Sequence, residues 1–374
     1  MGCYMKLLML GGSGILSTDF TVKCLDEGNE VFILNRGTRS GFIDKRAVLI
    51  KADLRNESVD ELKAKIKDQH FDVIVDFLSF GPAHLEKNLR AFEGLFDQYV
   101  FISSATAYIK NDKDLISESR NEVGNKNWDY SYNKSLCEDY IKKSTVNYTI
   151  IRPYVTFGVS RIPFQLIPDG YHYTLISRII NDKPVALLDG GSAICTLTNT
   201  VDFANILYGL MLNPKAYRQE FHITSQSRQS WKEVYEKYCE ILGHEPRLIS
   251  VTLDDIKKYM PEYYQSLKGD KGTSWSFDNT KVLEAVGGYE FEYDLLSGLK
   301  RSIEYFNSHE NMQGIDYKWE GKMDFMIKRV AGIKGLKPIY SLCDKSSKKS
   351  FYYLMTNPIS HFAYMTLWHI KNHV

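Results

Sequence analysis

Apolar residues in the first part of the chain fall in short unbroken runs. The runs at 7–10, 30–35, 47–51, 72–77, 98–103 and 148–152 are rich in β-branched or aromatic residues and lack a clean period of two. That is the pattern of strands buried on both faces. Between them lie stretches with helical spacing, among them 15–24, 59–69 and 84–95. Repeated strand–helix–strand order predicts an α/β fold built on a doubly wound parallel sheet. Ligands of such sheets bind beyond the C-terminal ends of the strands. Chemistry is therefore sought in the residues that follow each run.

The first run breaks into Gly11-Gly12-Ser13-Gly14, after which Ile15 and Leu16 open a helix. Glycines permit positive φ and close approach of the backbone, and the free N–H groups of a helix start receive a pyrophosphate. The third glycine of that spacing is replaced by Ser17. A glycine turn joins many strands to many helices, so later positions must decide. After the second run, Asn35-Arg36-Gly37-Thr38-Arg39 has no acid to hold the ribose hydroxyls of NAD. Its arginines suit a 2′-phosphate, so NADP is the expected cofactor and NAD the alternative. Asp53, followed by Leu54, can accept from an adenine amino group. Leu78 and Ser79 follow the fourth run and would pass beneath the cofactor ribose.

The fifth run ends in Ser103-Ser104-Ala105-Thr106, where a hydroxyl can bond a substrate carbonyl or alcohol. Tyr130 and Lys134 come next, one turn apart on one helix face. A phenol titrates near ~10, and a neighbouring ammonium favours the phenolate. Such a tyrosine exchanges a proton with a substrate hydroxyl near neutral pH. The spacing recurs at Tyr264 and Lys268, as chance allows among 25 tyrosines. Position selects the first pair, which follows the Ser-Ser strand and precedes the next apolar one.

Composition narrows the class. The chain has 374 residues, with 47 Lys and Arg against 46 Asp and Glu. There is thus no general electrostatic case for nucleic acid or membrane. The six cysteines are scattered without a Cys-x-x-Cys pair, and the nine histidines show no ligand spacing. A reducing compartment and no metal are expected. Residues 7–10 are too short for a signal-peptide core, and no run of about 18 apolar residues exists for a spanning helix. Lys6 stands where an acylation start wants Ser or Thr. A cytoplasmic protein is expected. From Gly314 onward ten Lys or Arg face four Asp or Glu, interleaved with aromatics. Such a stretch suits a membrane surface, an oligomer contact, nucleic acid, or packing on the protein's own surface.

With these residues in place, the chain resembles the extended short-chain dehydrogenases/reductases, the NAD(P)-dependent nucleotide-sugar epimerases and dehydratases. The likeness rests on Ser104-Ala105-Thr106-Ala107-Tyr108, Ile151-Arg152-Pro153-Tyr154, Asp189-Gly190-Gly191, Thr200-Val201-Asp202-Phe203-Ala204 and Phe277-Asp278-Asn279-Thr280-Lys281. It implies a Rossmann domain over 1–155 with a return segment at about 186–213. A smaller α/β substrate lobe would take 156–185 and 214–308, with a basic aromatic extension over 309–374. It also implies Ser104 as catalytic serine, Tyr130 as acid/base and Lys134 as its partner. Substrate contacts are expected from Ser104, Thr106, Tyr154 and Arg161, in a homodimer acting on a nucleotide sugar.

The departures are Ser17, Asn35, Ile109 where the epimerases usually carry glycine, and Cys195 where they place an arginine on the diphosphate. These look closer to an atypical branch that includes plastid stem-loop-binding proteins. Three readings follow. One is an epimerase using transient hydride transfer. Another is an NADPH-dependent reductase of a sugar or other carbonyl. The third is a non-catalytic nucleotide-sensing or RNA-binding protein. No catalytic residue is missing, which ranks the third last. A dehydratase needs an added acidic pair near the serine, and Ala105-Thr106 supplies none.

Overall fold

The computed structural model describes residues 4–38, 43–67, 69–109, 115–119, 121–339 and 348–373. Seven strands form the central sheet: β1 (Lys6–Leu10), β2 (Glu30–Asn35), β3 (Val48–Lys51), β4 (Phe71–Asp76), β5 (Phe96–Ile102), β6 (Tyr148–Ile151) and β7 (Gln219–Phe221). Their order is β7-β6-β5-β4-β1-β2-β3, and every pair is parallel. The order reverses between β1 and β4, so the crevice at their C-terminal ends is where a ligand enters. This is the expected doubly wound Rossmann-type sheet.

Burial explains the unbroken runs. Leu7 and Met9 face a core shared with Phe20 and Cys24, while Leu8 and Leu10 face a second core with Phe101, Cys137 and Ile141. Neither face of β1 meets solvent, so neither can be polar. Helix α1 (Ile15–Asp26) covers the first face through Ser17, Phe20, Thr21 and Cys24, a helical stripe. Helices α2 (Val59–Ile66), α3 (Pro82–Ala91) and α4 (Asp129–Lys142) contribute to the second. Each large apolar side chain buried this way contributes about 1.5–3 kcal/mol.

The chain divides into two compact units. The first comprises Met1–Phe157, Thr196–Ser227 and Trp275–Asp294, and the second Gly158–Cys195, Arg228–Ser274 and Leu295–Val374. Residues 275–294, expected in the smaller lobe, lie in the first unit, where Val282 and Ala285 join its core. In the second unit a parallel pair, Val185–Leu188 with Leu248–Val251, packs among helices. Trp319, Met323 and Met326 of helix Tyr317–Ala331 share a core with Leu188, Val251 and Ile256. The residues beyond 309 are thus built into that unit. Arg178 and Lys183 are buried there with Glu320 and Asp324, in a charge-balanced quartet. No described helix is long and apolar enough to cross a membrane.

Candidate active site

The glycine loop is shaped by backbone and by close packing. Gly11 and Gly12 both have positive φ, at 121° and 78°. A Cβ on Gly12 would stand 2.5 Å from Ile33, so only glycine fits against β2. Gly14 is extended and precedes α1. Its N–H donates to Ser17 Oγ at 2.9 Å, and that hydroxyl donates back to the Gly14 carbonyl. Ser17 therefore caps the helix from the position where a third glycine was expected. The N–H groups of Ile15 and Leu16, in the first turn, are the donors available to an anion. No acidic residue stands in that turn. The loop fits a dinucleotide's pyrophosphate.

Asn35 ends β2 with its side chain committed on both sides. Its amide nitrogen donates to the Gly11 carbonyl, and its oxygen accepts from Gly37 N at 2.7 Å. Arg36 is exposed. Arg39 lies outside the described residues. Asp53 accepts from Arg55 N and from the Asn56 amide. The Arg55 N–H, then Asn56 and the nearby Arg36 charge, hold its carboxyl below the ordinary range.

Beyond β4 a buried carboxylate organises the loop under the site. Asp76 is fully buried. One oxygen accepts from Leu78 N and Ser79 N, and the other from Ser79 Oγ, Tyr99 OH at 2.7 Å and the Asn88 amide. These bonds turn the Ser79 carbonyl toward α4. Lys134 Nζ donates to that carbonyl and to Ile102 O, both at 2.7 Å. It lies 4.7 Å from the Phe80 ring centroid and 6.0 Å from that of Tyr130. Lys134 is only 1% exposed. Burial pushes its ammonium down to about 8, against the opposing pull of Asp76, Cys137 and Glu138.

Tyr130 sits one turn before Lys134 in α4, its ring between Trp128, at 4.8 Å, and Phe80, at 6.1 Å. Ser104, after β5, shares a 2.8 Å bond with Thr106 Oγ1, which also accepts from Ser131 Oγ at 2.8 Å. A chain of hydroxyls thus links Ser104 to the residue next to Tyr130. Below it, Ser103 donates to Glu138, which takes a two-pronged ion pair from Arg152. Tyr130, Lys134 and Glu138 follow at four-residue spacing, so the pair and its anchor share one helix face.

The other expected contacts are placed differently. Tyr154 is buried against Trp275 and Phe277 in the first unit. Thr106 is buried with its hydroxyl engaged as above. Arg161 belongs to the second unit, where it closes a turn with Gly158. Cys195 is buried in that unit, its thiol donating to Gln229 O. The second Tyr-x-x-x-Lys lies there too, and Lys268 is exposed. Asp76, Ser131 and Glu138 were missed. For Asp76 a signal existed, since a carboxylate closing a doubly buried strand must have partners.

A glycine loop at the switch point of a doubly wound sheet, with a buried lysine one turn beyond a tyrosine, is the arrangement of an NAD(P)-dependent enzyme of the short-chain dehydrogenase/reductase type. More specifically, the chain belongs to the NAD dependent epimerase/dehydratase family, whose profile matches residues 7–223. It is 22% identical over 317 residues to chloroplast stem-loop binding protein of 41 kDa b from Arabidopsis thaliana, covering 79% of this chain and 78% of that protein. It is also 22% identical over 253 residues to 2'-dehydrokanamycin reductase from Streptomyces kanamyceticus, covering 66% and 69%. UDP-glucuronic acid 4-epimerase from Bacillus cereus, in complex with UDP-glucuronic acid and NAD, has a similar fold. The TM-score is 0.65 at 17% identity, over 81% of this chain and 99% of that one.

Proposed function

We propose that the protein epimerises a nucleotide-linked sugar, with Tyr130 as acid/base. The observation that carries this reading is Lys134, held as a buried cation between two carbonyls one turn beyond Tyr130. Gly11, Gly12, Ser13, Gly14, Ile15 and Leu16 hold the pyrophosphate, and Leu78 and Ser79 underlie the ribose. Bound there, a nicotinamide supplies the two-electron exchange. Tyr130 takes the proton of a sugar hydroxyl as that carbon is oxidised, and returns it when the carbon is reduced from the other face. Lys134 stabilises the phenolate between these events. Ser104 donates to the reacting oxygen and passes hydrogen-bond order through Thr106 to Ser131. The exposed Arg36, with Asn35 in place of an acid, favours NADP over NAD.

Similarity to a reductase supports a second reading, in which the same residues reduce a carbonyl once per cofactor. The two are separated by absorbance at about 340 nm after substrate addition, because an epimerase retains its cofactor and a reductase releases it oxidised. Tyr130→Phe is expected to lower kcat about a hundredfold or more. Near-full turnover of that variant removes Tyr130 from the chemistry. Mass spectrometry of small molecules released on denaturation identifies the dinucleotide. NAD in place of NADP overturns the role given to Arg36.

A further inference from the structure

Helix Pro358–His373 carries apolar residues on two sides. One side is packed. His361 stacks on Phe325 at 4.2 Å, Met365 is buried, and the ammonium groups of Lys318 and Lys322 lie over the Tyr364 ring. The other side is bare. Ile359 is 81% exposed, Phe362 74%, Leu367 66% and Ile370 56%. With Ala363 and Thr366, also exposed, they follow the spacing i, i+3, i+4, i+7, i+8, i+11. That spacing makes one continuous stripe along the helix. The neighbouring helix Lys349–Thr356 exposes Phe351 and Leu354 as well.

The described charges from 325 onward have one sign, and the acid beside the packed side of this helix, Glu262, is paired with Lys322 at 2.7 Å. Glu320 and Asp324 are spent inside the second unit on Arg178 and Lys183. Asp316 caps its own helix by accepting from Lys318 N and Trp319 N. Among the described residues from 325 onward there is no acid, while Lys328, Arg329, Lys334 and Lys371 are exposed. Burial of the two carboxylates thus leaves this end of the unit more basic than its composition alone indicates.

From this geometry we infer that helix Pro358–His373 docks on an anionic lipid surface. Its outer stripe enters the acyl boundary, and the surrounding lysines meet the headgroups. At 16 residues the helix is about 24 Å long, shorter than a hydrocarbon core of about 30 Å, so it lies along the surface. A second copy fits less well, because it would bring two basic surfaces together. Single-stranded nucleic acid fits less well too, because binding by stacking needs aromatic platforms and the stripe is mainly aliphatic.

The test is co-sedimentation of the full chain with vesicles. Binding is expected to equimolar phosphatidylcholine and phosphatidylserine, weak binding to phosphatidylcholine alone, and loss with rising salt. The double variant Phe362→Asp, Leu367→Asp should bind at least about tenfold more weakly. Both positions are exposed, and an unchanged circular dichroism spectrum shows that the variant is folded. Absence of vesicle binding by the parent chain overturns the inference. So does unchanged binding by the variant. A dimer that dissociates in the variant, seen by sedimentation velocity, assigns the stripe to a second copy instead. Binding of an RNA oligonucleotide that the variant loses, without vesicle binding, overturns it in favour of nucleic acid.

Discussion

Asp76 meets no reacting atom in the proposed chemistry, yet it sets the conditions under which Lys134 works. It fixes the Ser79 carbonyl on which the ammonium rests, and its charge opposes the desolvation that drives Lys134 down to about 8. The sign for stability follows. The unfolded lysine binds its proton up to its ordinary value of 10.5, the folded one only to about 8. Between those values the unfolded state holds more protons, so this group's contribution to stability rises with pH and is lost as pH falls toward 8. For turnover the sign reverses. The cation supports Tyr130, so kcat/KM should fall as pH rises through the same region. Asp76→Asn removes the opposing charge, and the alkaline limb of kcat/KM should move to lower pH. A limb that stays in place denies Asp76 this positioning role, and a melting curve of the variant separates the effect from loss of fold. Tyr130, Lys134 and Ser104 were legible in the sequence because each follows a recognisable strand. For Asp76 the sequence signalled only that a buried carboxylate needs partners, because which ones they are lies in four residues brought from α3, β5 and its own loop.

At the scale of elements, the glycine loop and α1 form one device. Ser17 stands where the spacing of the motif expects a third glycine. In the fold it bonds Gly14 in both directions and starts the helix. Ser17→Gly, which restores the expected spacing, should therefore lower stability by about 1–2 kcal/mol, through a lost cap and a flexible residue in the first turn. Thermal or denaturant unfolding measures this, and a variant as stable as the parent removes the cap from the account. The six longer strands were readable because burial on both faces demands unbroken apolar runs. β7 was not. Gln219-Glu220-Phe221 has no apolar run, and only its register against β6, with Phe221 beside Ile151, makes it a strand. Helix ends shifted by a few residues, since capping and fraying respond to neighbours that a periodic pattern does not contain.

At the scale of the molecule, the quartet of Arg178, Lys183, Glu320 and Asp324 ties the residues beyond 309 into the second unit. Tyr352 OH adds a bond of 2.6 Å to Asp324. Glu320→Gln leaves two buried cations facing one carboxylate, and a cost of about 3–5 kcal/mol is expected, read as a lowered melting temperature. A small effect would mean that water reaches the cluster. Removing residues 314–374 should be worse still, so that deletion cannot serve as a clean test of what the extension binds. The partners in the quartet stand 137 to 146 positions apart, and each unit is assembled from three separated pieces of chain. Synthesis delivers those pieces interleaved. The first unit cannot close before Trp275–Asp294 has been made, and in the second Arg178 and Lys183 must wait in solvent for carboxylates made much later. Folding of this protein is therefore a late event, in which the first unit waits for Trp275–Asp294 and the second for Leu295–Val374, and a chain stalled before residue 275 is left with two unfinished cores rather than one finished domain.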